Sequence, residues 1–195
     1  MRLSTRARLI VPLAITAALS VATAGAAQDT AEKPQVFHAT AANTGPDIQA
    51  PSLFELEISV QRYTTRAEQE TLQAAFDKGG QERLLSVLQK GPRIGRFRAP
   101  TSLAYDIRAA FEYRGRDNRR RIILITDRYV GFEEASSRPR SMDYPFTVFQ
   151  LRVDDNGMGD GEILVAASVQ FDRNGLIVEE LLNQPIRLTK VRQKK

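Results

Sequence analysis

Phe54-Glu55-Leu56-Glu57-Ile58-Ser59-Val60-Gln61 alternates apolar and polar side chains, the period of a β-strand with one buried face. A helical signal follows directly. Thr65 stands three residues before Glu68, the spacing of a capping box in which hydroxyl and carboxylate satisfy the exposed amides of a first turn. The spacing predicts a helix from Arg66 to Asp77 with Leu72, Ala75 and Phe76 on one face, ended by Gly79-Gly80. A second helix, Gln81 to Gln89, would bury Leu84, Val87 and Leu88 and stop at Gly91-Pro92.

Downstream the pattern is strand and turn. Leu103, Tyr105, Ile107, Ala109, Phe111 and Tyr113 alternate with Asp106, Arg108, Glu112 and Arg114, and Gly115 to Asn118 form a polar turn. Ile122-Ile123-Leu124-Ile125 is apolar on both faces, as a strand covered on both sides requires. Phe146 to Val153 and Glu162 to Phe171 flank the Asp/Asn/Gly-rich Asp154 to Gly161, whose three glycines suggest backbone with positive φ. Leu176 to Glu180 folds back across Asp172-Arg173-Asn174-Gly175, and Ile186 to Val191 is a last strand. Upstream, Val36 to Asn43 carries a short first strand. The order predicts an α+β fold: a mostly antiparallel sheet of about six to eight strands with a helical hairpin packed on one face.

The N-terminus reads as an address. Arg2, Arg6 and Arg8 precede an apolar run from Leu9 to Val21 and the small residues Ala24 to Ala27, the form of a secretory signal peptide over residues 1–27. The apolar run is shorter than the roughly 20 residues a membrane span needs, and no second one follows. The expectation is a soluble, exported protein, periplasmic or secreted, with no transmembrane segment after signal removal. Residues 28–51, interrupted by Pro34, Pro46 and Pro51, read as a mostly flexible segment, and residues 52–195 as one domain. The chain carries +5, of which the leader supplies three positive charges, and the small remainder argues against a nucleic-acid partner. It contains no cysteine, so stability rests on packing.

Few residues are suited to catalysis. Without cysteine, and with His38 as the sole histidine, a thiol nucleophile, a Ser-His-acid triad on a rigid scaffold and a zinc site all lack their parts. No catalytic residue, metal site or cofactor is predicted. Asp127, Glu133, Glu134, Asp143, Asp154 and Asp160 would support a carboxylate-dependent hydrolase of envelope polysaccharide only if two of them shared a cleft. Asp154 to Glu162 fails as an EF-hand, since Val165 stands where a bidentate Glu is needed. Arginine is the more suggestive residue: Arg93, Arg96 and Arg98, then Arg114, Arg116, Arg119, Arg120 and Arg121, then Arg138 and Arg140 would form a positive patch if neighbouring turns met. The alternative is a charge set balanced across the strands. The long connection from Tyr129 to Tyr144, carrying Phe132 and Met142, is of a length that is often functional.

Arg121-Ile122-Ile123-Leu124-Ile125-Thr126-Asp127-Arg128, Gly131-Phe132 and Arg138-Pro139-Arg140-Ser141-Met142-Asp143-Tyr144-Pro145-Phe146 resemble an uncharacterised family of exported bacterial proteins. Arg62-Tyr63-Thr64-Thr65, Leu103-Ala104-Tyr105-Asp106 and the Gly157 to Gly161 turn extend the resemblance over nearly the whole mature chain. The resemblance implies export and a single domain and brings no activity. The expected function is a non-catalytic binding module for a partner protein or an anionic envelope component, with Asp127, Arg128, Arg138, Arg140, Asp143 and Tyr144 as its site. A structural role by sheet-edge pairing is the third expectation.

Overall fold

The computed structural model describes residues 34–43, 53–99, 103–128, 130, 143–172, 175–180 and 185–194, all within one compact unit, Ala31–Lys195. The signal-peptide reading falls outside the described residues, as do Arg138 and Arg140. Strands β1 (Gln35–Ala42) and β2 (Leu53–Val60) precede one helical segment, α1 (Arg66–Lys90). Then come β3 (Gly95–Arg98), β4 (Tyr105–Arg114), β5 (Arg120–Thr126), β6 (Phe146–Val153), β7 (Met158–Asp172), β8 (Gly175–Glu180) and β9 (Ile186–Lys194). They form one antiparallel sheet in the order β6-β5-β4-β3-β2-β1-β9-β7-β8, and a further pairing of β6 with β7 closes eight strands into a barrel. β8 pairs only with the far half of β7 and stands outside the closed ring.

The α+β expectation, a sheet with a helical hairpin on one face, is therefore corrected to a closed antiparallel barrel with a single helical segment. Two pairings make the difference. β9 inserts between β1 and β7, and the tight turn after Val153 brings β7 back onto β6. The capping box is present: Glu68 N donates to Thr65 Oγ1 at 3.3 Å and Thr65 N donates to Glu68 Oε2 at 2.9 Å. Gly79-Gly80 bends the segment, with non-helical backbone at both residues and Gly80 at φ 58°.

Two apolar cores lie on opposite sides of the barrel wall. The inner one fills the barrel: Phe97 packs on Phe149 at 4.5 Å and on Tyr105 at 5.3 Å between ring centroids, surrounded by Phe37, Ile58, Ile107, Ile122, Leu124, Leu151 and Val191. An eight-stranded barrel is just wide enough for side chains to fill. The outer core lies under α1, where Leu72, Leu84 and Leu88 meet Ala109, Phe111, Ile123, Ile125 and Val148. The doubly apolar Ile122–Ile125 run thus faces both cores in alternation.

β4 departs from its expected alternation. A register shift between Ile107 and Ala109 makes Arg108 the extra residue of a β-bulge, so Ile107 and Ala110 face the inner core while Ala109 and Phe111 face α1. The glycines of the β6–β7 connection also differ from expectation. Among them only Gly157 has positive φ, 79°. Gly159 and Gly161 lie in β7, where an added Cβ would run into the backbone carbonyls of Arg152 and Gln150. Close strand approach, not turn geometry, requires them.

Candidate functional site

At the end of β5 the chain turns sharply. Thr126 Oγ1 donates to the Arg128 carbonyl at 2.6 Å, and Thr147 N, on β6, donates to Thr126 Oγ1 and to the same carbonyl at 3.1 Å each. This turn holds Asp127 only 4% exposed, facing the bulged Arg108. Arg108 Nε donates to Asp127 Oδ2 at 3.0 Å, its Nη1 donates to the Gly91 carbonyl at 3.1 Å, and its Nη2 lies 3.2 Å from Asp106 Oδ2. Arg128 Nε donates to the second oxygen of Asp127 at 3.1 Å, and Arg93 Nη1 lies 3.8 Å from Asp106. The result is an alternating chain, Arg93–Asp106–Arg108–Asp127–Arg128. Its three arginines exceed its two aspartates, and both outer ends are exposed arginines, 47% for Arg93 and 57% for Arg128. A buried carboxylate held by two guanidinium groups orients those groups firmly.

A pocket of about 140 Å³ adjoins this chain. Glu68, Thr71 and Leu72 from the first half of α1, Val87 and Leu88 from its second half, and Thr64, Gly91, Pro92 and Arg108 line it. Glu68 is already committed: Arg62 donates to its two oxygens at 2.7 and 2.8 Å. That guanidinium, aided by the Thr65 amide, lowers the Glu68 carboxyl to about 2.

A second polar cluster closes the opposite mouth of the barrel. Arg120 donates from Nε and Nη2 to the two oxygens of Glu112 at 2.7 and 2.9 Å, and donates to Gln193 Oε1 at 2.7 Å and Gln35 Oε1 at 2.8 Å. Tyr63 donates to Gln35 Oε1 at 3.2 Å. Arg120 holds the Glu112 carboxyl below its usual range, while burial and then Glu112 push the Tyr63 phenol well above its own.

Of the residues expected to form a site, Asp127 and Arg128 are directly bonded. Asp143, exposed, and Tyr144, half-buried, lie just before β6, which the Arg128 carbonyl engages through Thr147 N. The arginines of the expected patch are largely neutralised in pairs: Arg98 with Glu57 at 3.2 Å, Arg114 with Asp155 at 2.9 Å, Arg119 with Asp160 at 3.2 Å and Arg120 with Glu112 at 2.7 Å. Asp106 and Arg108 were missed as site residues. Both read as ordinary polar positions of an alternating strand, and the sole hint was the succession Asp-Ile-Arg facing Thr-Asp-Arg across the sheet.

Three of the acids proposed for hydrolysis do not share a cleft. Asp127 sits at one end of β5, whereas Asp154 and Asp160 flank the turn at the far end of β6, seven residues or roughly 20 Å along a strand. Asp154 Oδ1 accepts from the Asn156 and Met158 amides at 2.9 Å each, and Asp160 is held by Arg119 and Arg152. Glu133 and Glu134 lie outside the described residues. Among the described residues no group of three His, Asp or Glu side chains could hold a metal ion, and no helix is long and apolar enough to cross a membrane. His38 is exposed on β1. No protein-family model matches this chain, and neither the curated proteins nor the solved structures contain a match to it.

Proposed function

We propose that the chain is an exported, non-catalytic binding module whose face at the start of β4 and the end of β5 recognises acidic groups on a partner protein or on an anionic envelope component. The alternating chain from Arg93 to Arg128 carries this reading: its core is saturated, and its two exposed ends are both guanidinium groups. Paired carboxylates fix those arginines in advance, which lowers the ordering cost of binding an anion. Asp143 and Tyr144, just before β6, join this site in the present reading, and Arg138 and Arg140 are assigned to it from the sequence alone. The filled barrel, and the distance between the arginine-held Asp127 and Asp160, support binding over polysaccharide hydrolysis by that pair.

The test combines co-sedimentation with phosphatidylglycerol vesicles and photo-crosslinking from position 144 in the native exported fraction. Arg93→Glu with Arg128→Glu is expected to abolish vesicle binding or the cross-links, and Arg138→Glu with Arg140→Glu to weaken them. Binding that survives both reversals removes the proposal.

Assembly through a sheet edge is a second reading, favoured by β8, whose outer edge takes no strand among the described residues. The Gln81 side-chain amide bonds to both Val169 N and Val169 O, at 3.1 and 2.9 Å, on the edge of β7 away from β8. Val169 therefore forms a non-hydrogen-bonded pair with Val178, whose own N–H points outward. Val178→Pro removes that donor and leaves the β7–β8 bonds in place; dimers lost in this variant by light scattering would favour strand addition, and an unchanged monomer would exclude it.

A further inference from the structure

We propose that the pocket between the two halves of α1 and the bulge of β4 is a binding site for a single aromatic ring. It lies on the α1 side of Arg108 and stands apart from the recognition of acidic groups at Arg93 and Arg128.

Size, wall and charge each point to this occupant. The pocket measures about 140 Å³. An enclosed apolar cavity of about 150 Å³ holds benzene, so this more open pocket has room for one ring. Leu72, Val87, Leu88 and Pro92 supply most of the wall. The two hydroxyls are each engaged once: Thr71 Oγ1 donates to the Ala67 carbonyl at 2.9 Å, and Thr64 Oγ1 accepts from Ala110 N at 2.9 Å. A wall that is mostly apolar sets few hydrogen-bonding demands on a ligand.

Arg108 supplies the selectivity. All three of its nitrogens are engaged, by Asp127, Asp106 and the Gly91 carbonyl. Three of its five N–H groups are held by these partners, which fixes the guanidinium in place. A guanidinium in the wall attracts an aromatic ring through its planar face and does nothing comparable for a saturated one. Glu68, the nearest acid, is neutralised by Arg62 and does not repel the π cloud.

Methyl-resolved NMR of the mature protein tests this with toluene, methylcyclohexane and N-acetylphenylalanine amide as probes. Toluene is expected to produce saturable shifts at the methyls of Leu72, Val87 and Leu88, and to bind about fivefold more tightly than methylcyclohexane. Val87→Phe, which fills the space, is expected to abolish the shifts without lowering the melting temperature; Leu72→Phe provides a second filling variant if the first does not fold. Tighter binding of toluene than of the amide names a free small molecule as the natural source of the ring, and the reverse order names a peptide side chain. Absent or non-saturable shifts, equal affinity for methylcyclohexane, or full toluene binding by a folded filled variant would overturn the proposal.

Discussion

Arg120 places one guanidinium among side chains from four strands: Glu112 on β4, Gln35 on β1, Gln193 on β9 and its own β5. Its side chain is 16% exposed and that of Glu112 28%, so solvent screens the pair only in part. Arg120→Met would leave Glu112 and the amides without their donor, and a loss of about 2–3 kcal/mol in urea denaturation is expected. Because the folded-state pKa of Glu112 is depressed, its contribution exists above the unfolded pKa and is lost as pH falls through the folded one. The gap between wild type and Arg120→Met should accordingly narrow in acid, and a gap independent of pH would show that the ion pair is not its source. Glu68 follows the same sign with a stated window. Its carboxyl drops from the ordinary 4.5 to about 2, so the stability it adds is complete above pH 4.5 and disappears as pH falls toward 2. With the side chain about a third exposed, Glu68→Gln is expected to cost about 1–2 kcal/mol at pH 7 and almost nothing at pH 2, measured by the same denaturation.

At the level of elements, the seam between β6 and β7 depends on residues without side chains. A Cβ on Gly159 would fall on the Arg152 carbonyl across the strand pair, whereas a Cβ on Gly157 meets the Gln193 side chain at 2.7 Å in a turn with φ 79°. Gly159→Ala must push two strands apart and should cost about 3 kcal/mol or more, or prevent folding; Gly157→Ala should cost about 1–2 kcal/mol. Urea midpoints and amide NMR spectra of the two variants read this directly, and equal costs would contradict the close approach at Gly159. Both glycines look alike in the sequence, because a residue chosen for positive φ and one chosen for contact distance are the same letter. The bulge at Arg108 was hidden for a related reason. One inserted residue leaves apolar letters on both sides of it, since Ile107 fills the inner core and Ala109 the outer one. The Thr65–Glu68 cap and the alternation of β2 were legible because both are set by neighbours within a few residues. Asp106 and Arg108 joined the candidate site only through that bulge, beyond the reach of local pattern.

At the level of the whole molecule, closure is the property that local periodicity cannot carry. Val36 pairs with Lys194 and Ala41 with Leu188, partners nearly the full domain apart in sequence, and a strand alternates in the same way whether its sheet is open or closed. Closure also makes the inner core common property, because Leu188, buried to 1% exposure, belongs to the same cluster as Phe37, Phe97 and Phe149 on other strands. β9 has no independent support, being held by β1 on one side and β7 on the other. Leu188→Ala is therefore expected to cost about 2–5 kcal/mol and to lower amide-exchange protection equally in β1, β2, β5, β7 and β9. If exchange rose only in β1 and β9 while β4 to β6 kept their protection, the barrel would open at that seam as a separate unit. The same non-local pairings place loop closure ahead of most native contacts, so refolding from urea should take milliseconds to seconds. A microsecond phase that already protected the β1–β9 amides would contradict a barrel that closes last.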